Sequence, residues 1–181
     1  ARIFANGFAL NGKGYVVGGN DNGPSFYYSD CYEYDNVSDV WSQKTSAPFT
    51  LSLSASFVIN NEGYILTGVR NGNAIDNSFI KYNALTNTWT QLIAPKATAR
   101  SRMCASVIND KLWIGPGVYG DYNYLNVGTL FGKFRRDTWL YDPSTEIWTA
   151  KDSFPLNRYS ASSFTVDSIL YLVGGSDQTQ A

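Results

Sequence analysis

Gly14-Tyr15-Val16-Val17-Gly18-Gly19 is a short apolar run closed by two glycines, and it returns three times along the chain. The repeats read Gly63-Tyr64-Ile65-Leu66-Thr67-Gly68, Leu112-Trp113-Ile114-Gly115-Pro116-Gly117 and Leu170-Tyr171-Leu172-Val173-Gly174-Gly175. Their aromatic anchors, Tyr15, Tyr64, Trp113 and Tyr171, stand 49, 49 and 58 residues apart. A period of that length, carried by apolar runs too short for helices, predicts a series of small sheets.

Two further signatures flank each run. Downstream of the first three lie Cys31 to Trp41, Phe79 to Trp89 and Thr138 to Trp148. Each holds a Tyr (Tyr34, Tyr82, Tyr141), a polar turn, and a Trp seven residues after that Tyr. The turn residues Asp35-Asn36, Asn83 and Asp142-Pro143 suit a tight connection between strands. Upstream, Arg2, Arg100 and Arg158 each precede the anchor by 13 residues, and Leu51 takes that place in the second repeat. Alternating apolar residues follow, among them Phe8 and Leu10, Phe57 and Ile59, Ile108, Phe164 and Val166, which is strand periodicity with one face buried. No stretch shows helical periodicity with caps. Each unit is therefore four short strands, A to D.

Such a sheet cannot bury both faces alone. Stacking it against similar sheets around an axis does so, and leaves only short protected edges. The Gly-Gly pair, the Tyr-Asp turn and the spaced Trp resemble the kelch repeat over nearly the whole chain. The resemblance implies an all-β fold, a β-propeller of four-stranded antiparallel blades. Three full blades (2–48, 51–95 and 100–155) are followed by the first half of a fourth (158–175). Thr67-Gly68, Pro116-Gly117 and Leu51 depart from the pattern. Trp41, Trp89 and Trp148 are expected to bury between adjacent sheets. The last unit lacks C and D strands, so the chain is either a segment of a longer propeller or a four-bladed ring with a truncated last blade; the resemblance implies the larger ring, with further blades or a partner chain over the open faces. Met103 is the only methionine, which points to a processed form or a piece of a longer protein.

Composition narrows the function classes. Lys plus Arg is 14 against 15 Asp plus Glu, a formal charge of −1. Nucleic acid and anionic membrane surfaces call for a basic face, so neither is an expected partner. The apolar runs, such as Ile169 to Val173, are far too short to span a bilayer. Cys31 and Cys104 fall on different strand types in different units and read as two small buried residues rather than a disulfide or a metal site. The chain has no histidine. A copper centre like that of galactose oxidase, which resembles this fold, is not available from these residues, nor is a Ser-His-Asp device. No metal or other cofactor is expected. Gly115 to Gly120 matches a phosphate-loop spacing but opens no helix, so it carries no such meaning. Asn36-Val37-Ser38 fits a glycosylation acceptor.

Function is expected on loops held by a rigid scaffold. The B-to-C and D-to-A connections share one face of an antiparallel blade, and the most elaborate B-to-C segments carry exposed aromatics beside polar residues. The expected ligand-binding set is Arg2, Arg100, Arg158, Phe26, Tyr27, Arg70, Tyr119, Tyr122, Tyr124 and Phe134. The expected function is a non-enzymatic module recognising a protein or glycan through that face. A composition rich in Asn, Ser, Tyr and Gly suggests a secreted or cell-surface setting. The resemblance leaves a second reading open, a metal-free carbohydrate enzyme like the kelch-type sialic acid isomerases, with its remaining residues outside this chain.

Overall fold

The computed structural model describes residues 1–21, 26–70, 74–119 and 134–177. They form antiparallel sheets and, among the described residues, no helix. The first sheet has β1 (Asn6–Leu10), β2 (Lys13–Val17), β3 (Cys31–Asp35) and β4 (Val40–Lys44) in sequential order. The second has β5 (Leu51–Ser52), β6 (Ala55–Ile59), β7 (Glu62–Arg70), β8 (Ala74–Asn83) and β9 (Thr88–Gln91), with β5 and β6 both pairing with β7. The third has β10 (Ala105–Ile108), β11 (Lys111–Ile114), β14 (Thr138–Asp142) and β15 (Ile147–Lys151). Beside it, β12 (Gly117–Val118) pairs with β13 (Phe134–Arg135). A hairpin of β16 (Ser162–Val166) and β17 (Ile169–Val173) follows.

The innermost strands β1, β6, β10 and β16 touch in series and make the hub. Backbone bonds tie them around it. The N–H of Leu53 donates to the carbonyl of Phe4, that of Arg102 to Leu53, and that of Ser160 to Arg102. All four residues have positive φ, 52 to 55°. The same left-handed kink therefore recurs once per repeat and turns an edge donor toward the preceding sheet.

The kink explains the closing glycine. In the second repeat Gly68 has φ 117°, and a Cβ there would lie 2.5 Å from the Ser52 carbonyl oxygen. At Gly19 a Cβ would lie 2.7 Å from the Ile3 carbonyl. Only glycine lets the second strand pass under the kinked first strand. Gly68→Ala is expected to cost more than ~2 kcal/mol, since backbone strain and a backbone clash add. Urea denaturation checks this, and a change under ~0.5 kcal/mol would show that the close approach can relax. The pairing of β7 with β8 shifts register between Leu66 and Gly68.

Two dry interfaces hold three sheets together. Between the first and second, Leu10, Tyr15, Val17 and Cys31 meet Ile65, Ile80 and Tyr82, all buried. Between the second and third, Phe57, Tyr64, Leu66 and Phe79 meet Leu112, Ile114 and Tyr141. Phe8 stacks on Tyr15 at 5.6 Å and Phe57 on Tyr64 at 5.5 Å. The next sheet's Tyr then closes over them, Tyr82 against Tyr15 at 5.6 Å and Tyr141 against Phe79 at 5.0 Å. The third interface is different, because Ser106 stands where Phe8 and Phe57 stand. Its Oγ is 2.8 Å from Thr165 Oγ1, and Ser163 and Thr165 donate to the carbonyls of Ala105 and Val107.

The tryptophans differ from the sequence expectation. Trp89 and Trp148 are half-buried, and their indole N–H groups donate to the preceding sheet, at Thr45 O (2.8 Å) and Ile93 O (3.0 Å). Trp41 is 53% exposed. It belongs to the first sheet, and no described residue packs against that face from the other side. Burial of this position is a property of the neighbouring sheet, which the motif itself does not carry. Cys31 and Cys104 are free and buried, as expected, and burial pushes the Cys31 thiol up to about 12.

Candidate functional site: the loop face

Antiparallel pairing puts the B-to-C and D-to-A connections of every sheet on one face. The arginine opening each repeat braces this face. In the first sheet, Arg2 makes a bidentate pair with Asp30 (2.6 and 2.8 Å) and donates to Gly18 O (2.9 Å). Its guanidinium also lies 4.8 Å from the Tyr28 ring. The Asp30 hydrogen bond holds the Arg2 proton more tightly than usual.

In the third sheet, Arg100 donates to the carbonyls of Gly115 and Asp137 (3.0 Å each), to Thr98 O (3.1 Å) and to the Asp137 carboxylate (2.5 Å). Burial works against the Asp137 charge, but hydrogen bonds from Arg100 and the Trp139 indole outweigh it and hold the carboxyl below its ordinary range. Arg100 is 1% exposed, so it presents no surface to a ligand and acts as a brace. Arg158 pairs with Asp177 at 2.9 Å, beside a cavity of about 390 Å³ that it lines with Phe154, Leu156 and Leu172.

The second sheet keeps the cation by another route. Leu51 replaces the arginine, and Ser78 stands where Asp30 and Asp137 stand, four residues before the motif Tyr. Arg70 enters from the end of β7 instead. Its Nη1 donates to Ser78 Oγ and Asp76 Oδ2, both at 3.2 Å, and its guanidinium lies 4.2 Å from the Phe49 ring. The joint change of Leu51 and Ser78 is readable in sequence once the Asp partner is recognised; Arg70 as the replacement is not.

These braces leave aromatic side chains in solvent. Phe26 is 64% exposed and Tyr119 is 43% exposed, with Arg135 5.3 Å from the Tyr119 ring. Tyr27 is half-buried and bridges Asn20 through the backbone. Phe134 is half-buried and packs on Tyr159 at 5.9 Å, next to Val118. Tyr122 and Tyr124 lie outside the described residues. Two hub residues were missed by sequence reasoning, Phe4, which is 44% exposed, and Arg102, 5.9 Å from the Tyr159 ring. Both sit at the left-handed kink, and no residue-type signal marks that position. Among the described residues no group of three or more acidic, Cys or His side chains is placed to hold a metal ion.

No family model matches the chain. Individual proteins do. A kelch-like protein terF of Aspergillus terreus is 32% identical over 128 residues, 67% of this chain and 26% of that protein. Kelch-like protein 40 of Mus musculus is 27% identical over 176 residues, 96% of this chain and 26% of its own length. A "Kelch repeat and BTB domain-containing protein 1" of Horsepox virus is 29% identical over 136 residues, 74% of this chain and 23% of that protein. The chain thus spans about a quarter of the length of the curated relatives it matches.

Proposed function

The chain belongs to the kelch-repeat family, and from that premise we propose that it is a non-enzymatic module that binds a partner protein through its loop face. One observation carries this reading: Phe4, Phe26 and Tyr119 remain exposed on the face where Arg–Asp pairs stiffen the surrounding loops. Large rigid aromatics, already held in place, lose little entropy on docking and make the strongest contributions at protein interfaces. The paired arginines serve the surface by fixing loop geometry. Arg135 adds a cation beside Tyr119, a residue pair that suits a partner with mixed polar and apolar contacts.

Quantitative affinity mass spectrometry tests the proposal by comparing the wild-type chain, a Phe26→Ala/Tyr119→Ala double variant, and Thr86→Ala on the opposite face. We expect a defined partner protein bound by the wild type and Thr86→Ala. Affinity for it should fall about 30-fold or more in the double variant, the effect of losing roughly 2 kcal/mol of hot-spot contact. Equal recovery by all three would overturn the loop-face assignment. Turnover of sialic acid by the purified protein would overturn the non-enzymatic reading.

A further inference from the structure

The hairpin tip between β3 and β4 points away from the loop face and carries Asn36-Val37-Ser38. It is the sole Asn-X-Ser/Thr triplet in the 181 residues. All three residues are exposed, Val37 at 91%. The turn takes its shape from the residue before the triplet. Asp35 Oδ1 accepts the N–H groups of Val37 (2.9 Å) and Ser38 (3.3 Å).

The matching turns of the other two sheets keep that device. Asn83 Oδ1 accepts from Leu85 (2.9 Å) and Thr86 (3.1 Å), and Asp142 Oδ1 accepts from Ser144 (3.0 Å). At the place of Asn36 they carry Ala84 and Pro143. The fold therefore needs no amide there, and the Asn36 side chain makes no contact that shapes the turn. A solvent-facing amide two residues before a solvent-facing hydroxyl, on a stiff two-stranded stalk, has the chemistry of an oligosaccharide acceptor.

We propose that Asn36 is the N-glycan attachment site of this protein. In the transfer, Asn36 Nδ2 forms a bond to the anomeric carbon of an oligosaccharide carried on a lipid pyrophosphate. The bond from that carbon to the pyrophosphate oxygen breaks, the lipid pyrophosphate leaves with the electron pair, and the amide proton is lost to base. Nothing is oxidised or reduced. The inference carries a location with it, because such donors act in the lumen of the secretory route or its bacterial counterpart. Burial of both thiols fits that setting, since neither Cys31 nor Cys104 is accessible for mispairing. A glycan at this tip stands at the opposite end of the sheet from Phe26 and Tyr119, so it leaves the proposed partner surface open and covers the other face.

The test is made on the protein isolated from its natural source. Amidase release of glycans in heavy-oxygen water, followed by peptide mapping, is expected to leave a heavy-labelled Asp at position 36 in most molecules. The chain expressed through a secretory pathway should lose the glycan mass in both Asn36→Gln and Ser38→Ala. Recovery of the natural peptide with unmodified Asn36 would overturn the proposal, whatever the loop face binds. A secreted wild-type chain with the mass of the bare polypeptide would do so too.

Discussion

Phe79→Ala is expected to lower stability by about 4 kcal/mol, the range for emptying a large aromatic from a closed core. Phe79 is fully buried, and its ring sits between two sheets. It lies 5.8 Å from Tyr64 on its own sheet, and 5.0 Å from Tyr141 and 5.4 Å from Trp148 on the next. Each aromatic pair adds ~0.5–1.5 kcal/mol beyond area burial, so the loss falls on the contact between sheets as well as on the second sheet itself. Hydrogen exchange should show the amides of the third sheet opening together with those of the second in the wild type, and separately in the variant. Phe164→Ala is the control. Phe164 stacks on Tyr171 at 5.3 Å, much as Phe57 stacks on Tyr64, yet it is 48% exposed, and no described residue covers the pair. Its removal is expected to cost under ~1 kcal/mol. Equal losses for the two variants would contradict the view that burial is supplied by the neighbouring sheet.

Arg100→Met should cost about 3 kcal/mol, at the low end for breaking a buried ion pair. The guanidinium is buried, so its carbonyl acceptors at Thr98, Gly115 and Asp137 lose donors in a place that water reaches poorly. The low end applies because the Asp137 side chain is 37% exposed and keeps part of its hydration. Arg2→Met is expected to cost less than half as much, since both Arg2 (27% exposed) and Asp30 (22% exposed) meet solvent.

The Arg100 pair also has a pH signature. A carboxyl held below its unfolded value stabilises the fold at pH values above that value, and the stabilisation is lost as pH falls through the lower folded-state value. Wild-type stability should therefore drop on acidification through the carboxylate range, and Arg100→Met should show a shallower drop there. Glu33 works in the same direction in both proteins. Its charge is opposed by burial but held by Tyr15, Lys13 and Lys44, which keep its carboxyl low. Parallel stability profiles for wild type and Arg100→Met would remove Asp137 as a titrating contributor.

Much of this architecture is readable from local pattern. Strands must alternate because side chains on a pleated strand point to opposite faces, and the period of the Gly-closed runs counts the sheets. The closing glycines at Gly19, Gly68, Gly117 and Gly175 are legible for the same reason, since each must pass under a backbone. What marks such features is a geometry that only one residue type tolerates.

Burial and pairing were decided elsewhere. Trp41 and Trp89 occupy the same motif position and meet different fates, because one has a sheet packed against its face and the other does not. Arg2, Arg100 and Arg158 look equivalent in sequence, yet their exposure depends on how far the carboxylate partner and the surrounding loops close over each. Arg70 fills the place of an absent arginine from another strand, through contacts that sequence spacing does not encode. The chain alone settled its periodicity and the alternation within each strand, since those follow from residues adjacent along the backbone. Which aromatics stay wet, and which charges are spent internally, came only with the tertiary structure, because solvent exclusion depends on groups distant in sequence meeting in space.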